Sequence, residues 1–572
     1  MKIKASDYIV QYLIDRGVTD VFGYPGGMVT HIMDSLGKMK DHIAAHVTYH
    51  EQGAAFAACG YAQTSGKIGV AYATSGPGAT NMITGICHAY FDSIPVLFIT
   101  GQVNTFESNE KYGLRQRGFQ ETDIVAMVQS VTKFAAYVDS ADKLKSYLDE
   151  AYYHAMQGRK GPVLLDIPMN IQRAEVDDGQ LPNSKDDNEP CASADFANLL
   201  RMAFEKSQRP CLLIGHGVFS AGKMHEIRNL LKELRLPIVT SMLAFNIAPP
   251  DLPIGQYNYG FIGAYGDRCA NFVVAKSDLL ITLGSRLDVR QVGAKREQFA
   301  PDATIFRIDI DEKELSYGLH KNDIGCHITL SQAIEQIRNV AFPKGKYEDW
   351  LEVCRKIREK LNQEPLSYPL SAMKEISLIA PESCIVTGDV GQNQVWIAQA
   401  FQAKSRQQFL IPGGHSAMGC SLPSAIGAYY GSHKAVLCFS GDGGLQMNIQ
   451  ELQTVVREKL PIKIIVMNNF SLGMIRHFQE MYFHSIYVQT TCQSGYTVPD
   501  FCAIARAYGL SARKVTSLDE IEGLNLDDGV GELIEVLLPQ ETYVFPKLEF
   551  GKPNQDQEPL LDRELYEELM AL

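Results

Sequence analysis

"SGDGGLQMNIQELQTVVREKLPIKIIVMNN", residues 440–469, is the stretch on which the fold turns. KAVLCFS (434–440) is a compact apolar run that ends at Gly441, MNIQELQTVVREKL (447–460) has helical spacing, and KIIVM (463–467) is a second apolar run. Together they read as one strand-helix-strand unit, and such crossovers are right-handed with their two strands parallel. Asp442 and Asn469 therefore leave the carboxyl ends of neighbouring parallel strands, the edge at which open α/β sheets bind ligands. A carboxylate, an amide oxygen and a nearby main-chain carbonyl are hard oxygen donors that suit Mg²⁺, an ion that shares its shell with water and substrate phosphates. Gly443 and Gly444 permit close backbone approach to those phosphates, and the helix behind them offers unpaired N–H groups. Two unrelated turns would explain GDG and NN equally well in isolation, so the rest of the chain decides.

Outward from this unit, short β-branched runs alternate with helical patterns along the whole chain, the mark of parallel sheets with crossover helices. KIGVAYAT (67–74), IPVLFITG (94–101) and GPVLLDIP (161–168) belong to a first set, which a polar stretch, DDGQLPNSKDDNEPCASAD (177–195), separates from the next as an exposed linker. A second set begins at RPCLLIGHGV (209–218), FPKGKYEDW (342–350) leads into a helical connector, and a third set starts near SCIVTGDVGQ (383–392). The expectation is an α/β protein of three doubly wound parallel-sheet domains, at 1–175, 195–340 and 365–540, followed by an irregular tail at 541–572.

The bulk numbers fit such a chain. Its 572 residues exceed one core, and 45% hydrophobic with 21% charged residues is ordinary for a globular protein. A formal charge of −13 disfavours nucleic acid and anionic membrane surfaces as partners. The 12 cysteines are scattered with no CxxC pair, which points to buried thiols in a reducing compartment rather than to zinc or disulfides. No apolar run is long enough to span a membrane, and MKIKASDYIVQYLIDRGVTD reads as a helix rather than a signal peptide; a cytoplasmic protein is expected.

GDG followed by NN resembles the diphosphate–Mg²⁺ motif of thiamine diphosphate (ThDP) enzymes. The resemblance implies that Asp442, Asn469 and the carbonyl of Ser471 hold the metal, with Gly441, Gly443 and Gly444 against the diphosphate. It also demands a glutamate near the start of another α/β domain to protonate the aminopyrimidine ring, and HEQGAAFAACGYAQTSGKIGVAYATSGPGATN (50–81) supplies Glu51. A glutamate in a first helical turn is otherwise only a favourable charge. VFGYPGG (21–27), TSGPGATN (74–81), DSIPVLFITGQV (92–103), GFQETDIV (118–125), GDVGQNQVW (388–396), QMNIQELQT (446–454) and LGMI (472–475) extend the match over essentially the whole chain. Together they look like the catalytic subunit of acetolactate (acetohydroxyacid) synthase. The first and third domains would then bind the pyrimidine and the diphosphate, with the cofactor between two chains of a dimer, or of a tetramer, so that Glu51 of one chain faces Asp442 of the other. Met418 in PGGHSAMG matches the residue that wedges the cofactor into its bent shape, and Gly391, Gln392, Asn393 and Met474 fall in further cofactor segments.

LITLGSRLDVRQVG (280–293) resembles the family's FAD segment, with Arg286, Asp288 and Arg290 positioned for the dinucleotide. Paired arginines suit pyrophosphate because each guanidinium gives two parallel hydrogen bonds. Gly215 and Gly217 in IGHGV, Thr240 in TSML and Asp309 in RIDID fall where other flavin contacts are expected. The family pattern is RFDDR, so Val289 stands where an acidic residue is usual. A vestigial domain or another adenine dinucleotide is the alternative. The flavin's expected role is structural.

The resemblance implies a transferase reaction in which a 2-oxo acid such as pyruvate loses CO₂ and its two-carbon unit joins a second carbonyl. Phe119, Gln120 and Lys133 match substrate-proximal positions, and Gly27 a backbone contact there; without the resemblance Lys133 reads as a solvated strand residue. Several departures concern the acceptor. Phe478 stands where synthases of branched-chain amino acid biosynthesis carry tryptophan, Arg476 and His477 precede it, and Arg115, Arg117 and His415 add charge or polarity around the expected mouth. Charges that merely solvate a mouth are one explanation; a phosphate-bearing acceptor, a nucleotide-linked keto-sugar in branched-chain sugar biosynthesis, is the other. A flavin-dependent pyruvate oxidase and a non-catalytic paralogue are further alternatives, and whether a regulatory subunit binds is open.

Overall fold

The computed structural model describes residues 2–109, 112–177, 194–340, 345–361 and 365–572. It contains three six-stranded sheets in which every pairing is parallel. The first has the spatial order Ala44–Val47, Asp20–Gly23, Gly69–Ala73, Val96–Gln102, Val163–Pro168, Phe134–Tyr137. The second runs Asn258–Phe261, Ile238–Thr240, Pro210–Ile214, Leu279–Leu283, Thr304–Asp309, Asp323–His327. The third runs Gln408–Leu410, Cys384–Gly388, Ala435–Gly441, Ile462–Asn468, Glu532–Leu537, Ser511–Val515. The central strands of each sheet are buried along their length, which is why they read as continuous apolar runs rather than alternating ones.

In each sheet the chain grows first towards one edge and then turns back past its first strand to grow towards the other. The reversal falls between Asp20–Gly23 and Gly69–Ala73 in the first sheet and between Pro210–Ile214 and Leu279–Leu283 in the second. In the third it falls between Cys384–Gly388 and Ala435–Gly441. At such a point the two connecting loops part and leave a crevice at the carboxyl ends of the strands. The segments 24–27 with 74–78, 215–217 with 284–290, and 389–393 with 441–444 open at these three crevices.

The first and third sheets meet through two helices, Glu51–Ser65 and Ser421–Ser432. A Cβ at Gly60 would overlap the Ser424 carbonyl, and one at Gly427 the Ala57 carbonyl. Small residues thus let the two helices cross with their backbones in contact.

The expected strand-helix-strand unit is present, with Ala435–Gly441 and Ile462–Asn468 paired in parallel. Its helix is not continuous: Asp442–Met447 ends at Asn448, a 3₁₀ turn covers Ile449–Glu451, and a second helix runs Leu452–Arg457. The Asn448 amide donates to the Gly419 carbonyl at 2.8 Å and to Gln52 Oε1 at 3.0 Å, so its side chain bonds outward where the helix breaks. The tail also gains structure. Lys547 bridges Glu558, and a helix spans Arg563–Ala571 against the central domain. Most described cysteines are buried, Cys87 is half-buried and Cys492 is exposed; Cys191 and most of the expected linker lie outside the described residues. Among the described residues no helix is long and apolar enough to cross a membrane.

Candidate active site

At the crevice of the third sheet, Asp442 opens its helix at 3% exposure. Its Oδ1 accepts from the Gly443 N–H at 2.7 Å and the Tyr496 hydroxyl at 3.1 Å, and its Oδ2 accepts from the Ser471 N–H at 3.2 Å. Asn469 Oδ1 accepts from the same Ser471 N–H at 3.2 Å, which brings the two side-chain oxygens together beside Ser471. The Asn469 amide nitrogen donates to Gln392 Oε1 at 2.9 Å and to Thr542 Oγ1 at 2.7 Å, so the amide is turned with its oxygen toward Asp442. Burial pushes the Asp442 carboxyl up to about 6, against the hydrogen bonds that favour its ionised form. These neighbours bring no cation to the buried carboxylate, and a divalent ion would supply the missing charge. The donor set of carboxylate, amide oxygen and backbone carbonyl fits magnesium. Tyr496 and Thr542 complete this cluster from loops distant in sequence; no local signal marks either.

A cavity of about 1360 Å³ runs from this crevice to the central domain. Gly391, Gln392, Asn393, Met418, Gly441, Gly443, Gly444, Asn469, Ser471 and Met474 line its third-domain end. Met418 stands over the glycine turn: a Cβ at Gly443 would come 3.1 Å from Met418 Cε. Asn393 Oδ1 is buried there without a hydrogen-bond partner.

Glu51 lies elsewhere in the same chain. It opens the helix Glu51–Ser65 at 9% exposure, and Asn81 Nδ2 donates to its Oε2 at 2.9 Å. The SGPG segment fits against it: a Cβ at Gly78 would approach Glu51 Oε1 to 3.2 Å, and one at Gly76, where φ is +63°, would press on Gln120 at 2.9 Å. Only glycine allows this loop to pass between Glu51 and Gln120. The Glu121 carboxylate accepts from the N–H groups of Asn109, Arg117 and Gly118, and the loop so shaped presents Phe119 at 78% exposure. Gly27 is open on its Cβ side. Glu51, Gln120, Phe119 and Gly27 thus gather at the crevice of the first sheet, and none of them lines the large cavity.

The central-domain wall of that cavity carries Gly217, Arg286, Asp288, Arg290 and Asp309, with Ser241 beside Thr240. Asp288 caps the short helix Val289–Val292 by accepting from the Arg290 N–H at 2.8 Å, and Arg286 reaches its carboxylate at 3.4 Å. Val289 is 67% exposed, so the missing acidic residue leaves open surface rather than a hole. Gly215 and Gly217 let the end of Pro210–Ile214 press against Gly284. The buried hydroxyls of Thr240 and Ser241 have no partner, and burial raises the Asp309 carboxyl. Two arginines on one wall, Arg286 beside the Asp288 carboxylate, and unsatisfied hydroxyls at a strand end fit a dinucleotide. Lys133 lines this same cavity from the first domain rather than joining the Gln120 cluster. Its Nζ donates to the Gln157 carbonyl at 2.6 Å, and burial lowers it to about 8.

The polar residues expected around an acceptor mouth do not converge on one. Arg476, 2% exposed, donates to the Thr542 carbonyl at 2.5 Å and lies 3.7 Å from Glu480. His477 is buried between Tyr543 and Phe545, and burial together with Lys547 and Arg476 lowers it to about 4. Arg117 donates to the carbonyls of Phe106 and Ser108, Arg115 is exposed to solvent, and neither lines the cavity. His415 stacks on Phe91. Phe478 alone of the substituted positions reaches the cavity. The helical period turns Arg476 and His477 inward, which the linear sequence hides. A phosphate-bearing keto-sugar acceptor is therefore not favoured.

Known proteins share this plan. The thiamine pyrophosphate enzyme family matches in three parts: its N-terminal TPP binding domain over residues 3–127, its central domain over 199–337 and its C-terminal TPP binding domain over 389–525. The acetolactate synthase isozyme 2 large subunit of Escherichia coli (strain K12) is 35% identical over 569 residues, 97% of this chain and 99% of that protein. The acetolactate synthase large subunit of Lactococcus lactis subsp. lactis is 34% identical over 96% of this chain and 94% of its own. A probable acetolactate synthase large subunit of Methanocaldococcus jannaschii is 33% identical over 95% of this chain and 91% of its own. With its parallel-sheet domains, its acidic turn at the third crevice and these full-length matches, the chain belongs to the acetolactate synthase large-subunit family of thiamine pyrophosphate enzymes.

Proposed function

We propose that this chain is a ThDP-dependent carboligase that decarboxylates pyruvate and transfers the hydroxyethyl unit to a second carbonyl, with another pyruvate as the acceptor. The observation that carries this reading is the meeting of Asp442 Oδ2 and Asn469 Oδ1 beside Ser471, next to a glycine turn, at the crevice of a parallel sheet. ThDP, when bound, supplies the nucleophilic carbon and the electron sink for decarboxylation.

The chain's own residues bind and orient. Asp442, Asn469 and the Ser471 carbonyl would hold Mg²⁺, and the N–H groups after Gly441 would bind the diphosphate at a helix N-terminus. Gly391, Gln392, Asn393 and Met474 border the same end, and Met418, set against the glycine turn, would support the cofactor. Glu51, held by Asn81, would exchange a proton with the aminopyrimidine ring. Gln120, Phe119 and Gly27 stand by the substrate. Since Glu51 and Asp442 open at separate crevices of one chain, the reading requires a homodimer or higher assembly that apposes the first domain of one copy to the third of another. Arg286, Arg290, Asp288, Asp309, Gly215, Gly217 and Thr240 would receive FAD, and Lys133 would add a cation to that cavity from the first domain. A cytoplasmic location accords with cysteines that are scattered along the chain and mostly buried.

The test is a product mass spectrum after incubation of the protein with ThDP, Mg²⁺, FAD and labelled pyruvate alone. Acetolactate as the dominant product supports the reading; CO₂ release without acetolactate would replace the acceptor.

A further inference from the structure

Asp389 follows the strand Cys384–Gly388 directly and sits at the same crevice as Asp442, yet it is 0% exposed and does not line the cavity. Burial raises it to about 6. Its Oδ1 accepts from the Val390 N–H at 2.9 Å and the Gly419 N–H at 3.0 Å. Its Oδ2 accepts from the Gly419 N–H at 3.0 Å, the Ser421 N–H at 3.2 Å and the Ser421 hydroxyl at 3.0 Å. Every one of these donors is neutral. Such a carboxylate is costly to bury, and it persists where a fixed array of donors and dipoles replaces the lost water.

The array is the start of another helix. Ser421–Ser432 begins after Cys420, whose side chain makes no capping hydrogen bond. Its first N–H groups need an acceptor, and the positive end of the helix dipole favours an anion. Asp389 supplies both from a different element. The turn that it grips carries Met418 one residue before Gly419. The Gly419 carbonyl is held in turn by the Asn448 amide at 2.8 Å. The peptide groups on either side of Gly419 are thus pinned from opposite directions. The same carboxylate lies under the glycine turn, where a Cβ at Gly444 would come 2.8 Å from Asp389 Cγ.

We propose that Asp389 is a positioning residue: by capping the helix Ser421–Ser432 from the end of a neighbouring strand, it fixes the turn that sets Met418 against Gly443. It rests on the reading of the site as a ThDP site. It acts through Met418 and touches neither cofactor nor substrate.

The experiment uses the full chain as wild type, Asp389→Asn, Ser421→Ala, Met418→Ala and the Asp389→Asn/Met418→Ala double variant. Amide hydrogen exchange of the protein without cofactor reads the cap: faster exchange confined to residues 416–424 is expected in Asp389→Asn, and less so in Ser421→Ala, which keeps the charge and removes one donor. ThDP binding with Mg²⁺ is then measured by calorimetry. Proton exchange at the thiazolium C2 position of bound ThDP is followed by quenched NMR at cofactor saturation. In Asp389→Asn that exchange is expected to slow by about 10- to 100-fold, the cost of a misplacement of about 1 Å. Met418→Ala alone is expected to slow it as well, and the double variant to slow it no further, since both changes remove one interaction. Unchanged C2 exchange in Asp389→Asn, or additive effects in the double variant, overturns the proposal. If Asp389→Asn does not fold, Ser421→Ala decides by the same two readouts. Failure of the wild type to bind ThDP would instead overturn the functional reading.

Discussion

Glu51 and Asp442 show how one chemical group, a buried carboxylate, serves two purposes. Each opens a helix, is nearly excluded from water and accepts hydrogen bonds from neutral groups. Asp442 shares its space with the oxygen of Asn469, an arrangement that a cation would complete, whereas Glu51 faces an amide and a loop of glycines. Glu51→Gln is expected to retain ThDP binding and lose turnover by about 100-fold or more, the usual contribution of a positioned acid-base group; calorimetry beside a coupled pyruvate assay checks both halves. Asp442→Asn is expected to raise the Mg²⁺ concentration needed for half-maximal ThDP binding by about tenfold or more, because a charged ligand becomes a neutral one. Unaltered metal dependence would remove Asp442 from the metal shell.

At the scale of the element, the crossing of Glu51–Ser65 with Ser421–Ser432 couples the helix that carries Glu51 to the one that follows Met418. Gly60→Ala would force a methyl into the Ser424 carbonyl and separate them. Since backbone rather than a flexible side chain must yield, a loss of about 3 kcal/mol is expected in denaturant unfolding. Asp267 gives an element of the central domain its pH dependence. Its buried carboxyl accepts from the Phe261 N–H at 2.9 Å, and burial raises it from 3.8 to about 7. The folded state therefore holds a proton that the unfolded state releases. The stability this group contributes is full below about pH 4 and is lost as pH rises towards 7. Asp267→Asn removes the titration, so thermal melts should show the variant gaining on the wild type across that window and the difference levelling above it.

At the scale of the whole molecule, the separation of the Glu51 crevice from the Asp442 crevice makes a specific demand on assembly. If active sites form between copies, two variants that are each inactive must complement. Mixing Glu51→Gln with Asp442→Asn after joint refolding should give heterodimers with one intact site, hence about a quarter of wild-type activity if pairing is random. No recovery would mean that both residues serve one site within a single chain.

The sequence by itself determined the three parallel sheets, because strands buried on both faces leave uninterrupted apolar runs between helical periods. It also determined the oxygen pair Asp442 and Asn469, because a strand-helix-strand unit brings the ends of its strands together whatever surrounds it. The glycines of SGPG and GDGG were legible for the same local reason. Only the tertiary structure decided which side chains face inward from a helix, and so it turned Arg476 and His477 away from the mouth where their linear neighbourhood put them. It alone brought Tyr496, Thr542 and Gln392 to the oxygen pair and Asp389 to the turn after Met418. Those contacts join segments that no periodicity links; they exist because packing three sheets fixes the loops between them, and a buried polar group must find its partner wherever the fold has put one.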